Sequence, residues 1–321
     1  VAFLIIASLF MRTSEMRKFI LKVLLFFVVI AMVDRGFGLA MSNVLKGTQK
    51  GDWGRNNFIF NEVKSDVIIL GSSRAIHHYD PQIISDSLSM SCYNCGEDGM
   101  GIFLMRVRYQ AIRERFKPKI VIYEVLPEYD LLGDIDNSRY LKFLRPYCDK
   151  SIMRSVIDDV SATEGIKLYS EMYRYNSVFV DIIAQSVSKS TSTAKEYSYS
   201  PLWTQMNNNP GKETGLERST TFDSVKIAYL EDIILQCERD GTLLFFTASP
   251  KYASFSDEEF KPLKDLCLVY HVPFINHYCD SNYCGNLTYF ADASHLNIKG
   301  AESFTSMLAS EVKGILNSHQ K

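Results

Sequence analysis

Short, largely apolar runs recur along this chain with helical stretches between them, and the clearest, residues 65–71, is β-branched, nearly continuous and ends in Gly71. The runs fall at residues 65–71, 90–94, 119–125, 242–247 and 272–275. Nearly continuous apolar strands of this kind suit a parallel sheet, which is buried on both faces. Between them Asp80-Pro81 opens a short helix, residues 99–116 have helical spacing, and residues 224–239 read as a helix stopped by Gly241. Residues 257–270 form a further helical stretch, and residues 299–316 close the chain as an amphipathic helix. The alternation predicts an α/β fold, a three-layer sandwich with a central parallel sheet between helices.

The alternation stops at about residues 130–222, which reads as an insertion. Its first part is helical in character. Its second part is a polar stretch too long for an ordinary connection, as in lids and binding loops. Tyr197, Tyr199 and Trp203 lie in that stretch, where aromatics either stack on a sugar ring or pin the loop to the domain. With 321 residues, 46% of them hydrophobic, the chain can bury a full core. A net charge of −2, with Lys and Arg scattered, argues against a nucleic-acid-binding face.

The amino-terminal region has a layout of its own. Residues 19–33 are apolar except for Lys22, and Arg17 and Lys18 precede them. A basic flank before an apolar run predicts a signal anchor with the following domain exported to the periplasm or cell exterior. The expected transmembrane helix covers residues 19–41, interrupted by Asp34 and Arg35, with residues 1–18 as a cytoplasmic stub. Gly38 and Ala40 offer an alternative cleavage site. Residues 1–10 precede Met11 and read as a mis-set translation start or a fragment edge. Residues 42–64 read as a linker, and residues 65–321 as the globular domain.

The seven cysteines follow no regular framework. Cys92 with Cys95 and Cys279 with Cys284 lack a histidine at zinc-site spacing, which leaves a local Cys279–Cys284 bridge or buried free thiols. No metal and no cofactor is expected.

Two local motifs carry chemistry. In VIILGSSRAIHHYDP, Ser73 stands just past the carboxyl end of a strand, where open α/β sheets place their ligands. In FADASHLNIKGAESF, Asp292 and His295 are spaced so that the carboxylate can accept from the imidazole while the other ring nitrogen faces a third group. A serine hydroxyl needs such an oriented base to become a nucleophile. The plainer alternative has Asp292 or Ser294 capping the last helix.

Together the two motifs make the chain resemble the SGNH (GDSL-type) hydrolase superfamily, from about residue 65 to residue 316 apart from the insertion. Gly71-Ser72-Ser73 resembles that family's first block with Ser72 in place of aspartate, and Asp292-Ala293-Ser294-His295 resembles its last block. The resemblance implies a flavodoxin-like sheet, a Ser73–His295–Asp292 triad and an oxyanion hole from Ser73 and Gly96, the latter in Asn94-Cys95-Gly96. Arg74, beside Ser73, and Asn94 are candidate substrate contacts, and for Arg74 binding a substrate anion and pairing with a buried carboxylate are equal alternatives. The family's third block supplies an asparagine. Here that strand reads KIVIYEVLPEYD, and Glu124 cannot donate when ionised. The departure looks like the branch that acylates envelope polymers, including alginate acetyltransferases and the D-alanyl transfer protein of teichoic acids. Some of its members carry Gly-Ser-Ser or similar first blocks, a single amino-terminal anchor and a membrane-bound O-acyltransferase partner. His77, one turn after Ser73, is an alternative base that lacks an acid at a recognisable spacing. His271 and His277 read as structural. The expected function is an exported, membrane-anchored serine esterase or O-acyltransferase acting on an acylated glycan or other envelope polymer. A non-catalytic scaffold of the same fold is the alternative.

Overall fold

A computed structural model describes residues 14–133, 140–189, 198–207, 221–253 and 256–319. The expected start at residues 1–10, Tyr197 and much of the polar stretch lie outside them.

The chain opens with α1 (Ser14–Gly47) and α2 (Gly51–Asn61). There follow β1 (Val67–Leu70), α3 (Ser73–His78), α4 (Pro81–Leu88), β2 (Cys92–Asn94), α5 (Ile102–Arg113), β3 (Ile120–Glu124) and the single turn α6 (Pro127–Asp130). The insertion contributes α7 (Leu141–Leu144), α8 (Ser151–Val160), α9 (Glu164–Lys167), α10 (Glu171–Arg174) and α11 (Phe179–Ser186). Then come α12 (Ser224–Asp240), β4 (Leu243–Ala248), α13 (Lys261–Tyr270), β5 (Phe274–Asn276) and α14 (Ile298–His319).

The five strands form one parallel sheet in the order β2-β1-β3-β4-β5, with Val67 opposite Cys92 on one side and Ile120 on the other. Strands β1 and β3 are buried throughout, as their unbroken apolar runs require. The order reverses direction between β1 and β3, so their crossovers leave on opposite faces and open a crevice at the carboxyl ends. Local chemistry marks several element ends. Asp80 caps α4 through the N–H of Gln82, and Asp223 caps α12 through those of Val225 and Lys226. Gly241 stops α12 at φ 69, a left-handed conformation that costs glycine little.

Helices cover both faces. On one, Ile84 of α4 and Ala301, Phe304, Leu308 and Val312 of α14 pack against Val67, Ile69 and Ile122. On the other, α5 and α12 share a core with α2, the end of α1 and the insertion, including Trp53, Phe60, Leu144, Met153 and Ile182. Here two expectations are corrected. Residues 42–64, expected as a linker, form the end of α1 and then α2, whose Arg55 and Asn56 are buried. Nor does a membrane-spanning helix occupy residues 19–41: among the described residues no helix is long and apolar enough to cross a membrane. Between Lys22 and Asp34 the charge-free stretch is about 11 residues, a rise of roughly 16 Å against roughly 30 Å of hydrocarbon. Met41 and Leu45, further along the same helix, are buried in the core.

The polar pair that interrupts the apolar run docks α1 onto the insertion. Asp34 accepts hydrogen bonds from Ser170 Oγ at 2.7 Å and from the N–H groups of Glu171 and Met172, each at 2.9 Å. It acts as a cap for α10 supplied from another helix. Arg35 pairs with Glu171 at 2.7 Å and donates to the Tyr169 carbonyl at 3.0 Å. Residues 21–33 remain exposed despite their apolar character; Phe27 is 62% exposed. Asp34→Ala is expected to weaken this docking by about 1 kcal/mol, the worth of a helix cap. Amide exchange at Glu171 and Met172 should then quicken by roughly fivefold, as hydrogen–deuterium exchange would show.

Candidate active site

Ser73 sits at the first position of α3, immediately beyond β1 and beside the crevice. The turn that places it is tight. Gly71 has φ 140, and a Cβ there would stand 2.6 Å from the Glu124 carbonyl oxygen at the end of β3. Only glycine allows α3 to start so close to the sheet. Ser73 lies in the first turn, where backbone N–H groups lack intrahelical partners, so its own N–H is a candidate oxyanion donor.

His295 and Asp292 come from the loop before α14. The His295 Nε2 is 2.8 Å from Ser73 Oγ, and its Nδ1 is 2.9 and 3.0 Å from the two carboxylate oxygens of Asp292. A carboxylate can only accept, so Nδ1 carries the proton and Nε2 is left to accept from the serine hydroxyl. Asp292 also accepts from the N–H groups of Ser294 and His295. Burial alone would raise its carboxyl, but the imidazole and these N–H groups hold it below the usual carboxylate range. The helix-capping role open to Asp292 in the sequence is thus a turn bracing its own loop.

Other expected contacts are placed differently. The Gly96 N–H, expected at an oxyanion, donates to Asn94 Oδ1 at 2.9 Å, and Gly96 is not among the residues lining the cleft. Gly96 is needed for another reason: a Cβ there would lie 2.7 Å from the Ala75 Cβ on α3. Asn94 does not reach a substrate either. It is fully buried, and its amide donates to the carbonyls of Ala75 at 2.7 Å and Tyr79 at 2.9 Å. Arg74, although in the cleft wall, is turned into the protein. Its Nε lies 3.5 Å from Glu124, its Nη2 donates to the Ser249 carbonyl, and its guanidinium sits over the Tyr278 ring. Of the two readings open to Arg74, the buried pair is the one found. Burial pushes the Glu124 carboxyl up, against the pull of Arg74.

His77 does have an acid partner, Asp98, which is distant in sequence. Its Nε2 is 3.0 Å from the Asp98 carboxylate and its Nδ1 is 2.5 Å from the Ser200 carbonyl. Both partners are acceptors, so the ring is satisfied only as imidazolium. His77 thus ties the segment 198–207 to the site rather than serving as a base. The same segment receives the N–H of Ile298 at Leu202 and donates the N–H of Ser200 to Ile76 and that of Met206 to Phe290. Trp203, 77% exposed, does not pin it. His277 bridges Asp280 and Glu311, a structural role. Among the described residues no cluster of side chains fits a metal.

The cleft beside Ser73 and His295 encloses about 230 Å³ and is lined further by Leu126, Glu128, Tyr129, Lys251 and Ser294. Leu126, Glu128 and Tyr129 follow β3, where an asparagine was missed, and none is an asparagine. Lys251, buried at the carboxyl end of β4, was not foreseen. Its ammonium faces Glu128 at 3.5 Å, longer than a direct charge-assisted bond, and its N–H donates to the Tyr278 carbonyl. The signal available was its place just past a strand end.

No family profile and no curated protein matches the chain. Among solved structures it is similar to a protein proposed to be a platelet activating factor, from Streptococcus pneumoniae, at 12% identity and TM-score 0.41, covering 88% of this chain and 98% of that one. It is also similar to a protein proposed to be an acylhydrolase, from Bacteroides fragilis, at 12% identity and TM-score 0.37, covering 78% and 88%. A GDSL-like lipase from Bacteroides thetaiotaomicron is similar at 10% identity and TM-score 0.34, covering 77% and 88%. Superpositions this loose carry no argument about the site, which rests on the chain's own geometry.

The His77 contacts give a pH signature. Burial pulls its pKa down, but the Asp98 and Ser200 bonds outweigh that, and the net displacement is upward. A histidine raised on folding stabilises fully below its unfolded value of about 6.5, and the contribution is lost as pH rises through the folded pKa. The stability difference between wild type and His77→Gln should therefore shrink as pH climbs above about 6.5. Urea denaturation at a series of pH values would check this; a difference growing with pH would contradict it.

Proposed function

We propose that the protein is a serine-dependent carboxylic-ester hydrolase or O-acyltransferase of the SGNH type. One observation carries this reading: the unbroken chain Ser73 Oγ–His295–Asp292 at the carboxyl edge of the sheet. In the first half-reaction Ser73 Oγ attacks the ester carbonyl while His295 Nε2 takes its proton, and the imidazolium is stabilised by Asp292. Collapse of the tetrahedral intermediate passes that proton to the leaving alkoxide and leaves an acyl-serine. A water or a hydroxyl acceptor then attacks, with His295 as base again, and Ser73 is regenerated. The small cleft favours a short acyl group such as acetyl.

The acceptor and the setting belong to the proposal too. We infer an acylated glycan or other envelope polymer as substrate, outside the cytoplasm, with a membrane-bound O-acyltransferase as partner. The support is the Gly71-Ser72-Ser73 first block together with the missing third-block asparagine, a departure that resembles the envelope-polymer branch. The exposed apolar row of α1, with Arg17, Lys18 and Lys22 at its start, supports association with a bilayer.

A scaffold function has a specific observation in its favour. The third-block asparagine is missing and the Gly96 N–H is committed elsewhere, so two customary oxyanion donors are lacking. Losing one such donor can cost about a hundredfold to a thousandfold in rate. The Ser73 N–H and the Lys251 ammonium are the donors the cleft offers instead.

Wild-type protein is expected to hydrolyse a small activated acetyl ester slowly, and faster turnover on adding a glycan acceptor would mark transfer. Ser73→Ala and His295→Ala should each abolish the reaction, and the double variant should lose little more, because triad members act as a unit. Asp292→Asn should be less severe than Ser73→Ala. Mass spectrometry after treatment with a fluorophosphonate should find Ser73 modified. An unlabelled Ser73, with polymer acylation in cells untouched by Ser73→Ala but lost on deletion, would establish the scaffold instead.

A further inference from the structure

His295 and Asp292 lie on a loop, and a loop does not by itself hold an imidazole within a few tenths of an ångström of its nucleophile. The residue after His295 is anchored from below. The Leu296 N–H donates to His78 Nε2 at 2.9 Å. His78 Nε2 therefore carries no proton, and Nδ1 carries it, donating to Ser249 Oγ at 2.8 Å. The Ser249 hydroxyl, having accepted, has Glu124 Oε1 within 3.3 Å as its own acceptor, and Glu124 is paired with Arg74. The line runs from the His295 loop through α3 to the ends of β4 and β3, and every side chain in it is buried. It is also tied at its upper end, since Thr305 Oγ1 of α14 donates to the His78 carbonyl at 2.7 Å.

The donor and acceptor order leaves one arrangement. Each group in the line has a single role, set by the Leu296 N–H at one end and the carboxylate at the other. A second proton on His78 would set its Nε2–H against the Leu296 N–H. Burial supports the neutral ring, holding the His78 pKa well below the usual histidine value, with Arg74, His295 and His77 acting in the same direction.

The geometry points to His78 as a positioning residue for the reaction: through Leu296 it registers His295 against Ser73, and Ser249 and Glu124 fix the tautomer that lets it do so. His78 touches no substrate and transfers no proton. Nothing in the two end motifs requires it, and it differs in kind from its neighbour His77, which bonds to the insertion. The inference rests on the serine-esterase reading of the same site.

Three variants test it. His78→Leu removes the acceptor for Leu296, His78→Gln restores one through its amide oxygen, and Ser249→Ala removes the group that fixes the tautomer. Misplacing a catalytic group by about an ångström can cost roughly a hundredfold. His78→Leu is therefore expected to lower kcat on a small acetyl ester by roughly 10- to 100-fold, with KM changed less than about twofold. His78→Gln should recover most of kcat, and Ser249→Ala should lose several-fold. The readout independent of turnover is the far-downfield proton resonance of His295 Nδ1 bonded to Asp292, recorded in Ser73→Ala protein. It should be present when His78 is retained or changed by His78→Gln, and broadened or lost on His78→Leu. A His78→Leu protein that melts earlier but keeps kcat and this resonance would reduce His78 to a stabilising residue and overturn the inference. Should His78→Leu fail to fold, Ser249→Ala decides alone, and an unchanged kcat there overturns it. Turnover that survives Ser73→Ala would sink the esterase reading instead, leaving the resonance to judge His78.

Discussion

The site depends on how closely the short helix α3 approaches the ends of three strands. Gly71, just before it, passes against the Glu124 backbone, and Gly96 lets Ala75 and Ile76 of the helix rest against the β2 loop. Asn94 then ties the helix down from below through the Ala75 and Tyr79 carbonyls. With those contacts in place, Ser73, Arg74, His77 and His78 fan out in four directions with four separate tasks. Ser73 faces the cleft, Arg74 turns inward to Glu124, His77 reaches the insertion and His78 reaches the final loop. A side chain at Gly71 or Gly96 would displace all four together, because interiors packed at crystal-like density relax little.

Charge beneath the site is handled in two buried groups. Arg74 and Glu124 form one. In the other, Glu97 lies 3.0 Å from Arg55 and 2.5 Å from Arg108, and Arg55 also donates to the carbonyls of Asn94 and Gly96. Buried ions of this sort contribute little net stability against apolar replacements, but removing one partner strands the other. Their use here is directional. They fix the carbonyl side of the β2 loop, which is why that loop presents its Gly96 N–H to Asn94 rather than to the cleft. The Gly96 N–H thus braces the backbone beneath Ser73.

Much of this was legible in the sequence because the signals were local. The five strands fall inside or within a residue or so of their apolar runs, and Ser73, Asp292 and His295 each stand in a motif a few residues long. What was misread depends on contacts between distant segments. The segment GDWGRNNFIFN looks like a linker because its Arg55, Asn56 and Asn57 are polar, yet they are buried by bonds to Glu97, Arg108 and Tyr147. Gly96 and Asn94 were assigned by position after a strand, which cannot show that Asn94 folds back on its neighbours. Asp98 escaped notice as the partner of His77, and Lys251 belongs to no repeating pattern. Part of the amino-terminal helix was read correctly as apolar and wrongly as a spanning segment. The Asp34–Arg35 pair had its meaning in α10, which is far away in the chain.

That last contact bears on how the amino-terminal helix is joined to the site. The exposed half of α1 and its buried half are one continuous helix. The buried half packs with α2 in the same core as α5 and the insertion, and Asp34 and Arg35 fasten it to α10. From α2, Arg55 reaches the carbonyls of the β2 loop against which α3 rests. A packed path therefore joins the apolar end of α1 to Ser73, through α2 and the β2 loop. Whatever holds the exposed apolar residues of α1 also sets the direction in which the cleft opens. The burial of α2 is what converts an amino-terminal appendage into an orienting element.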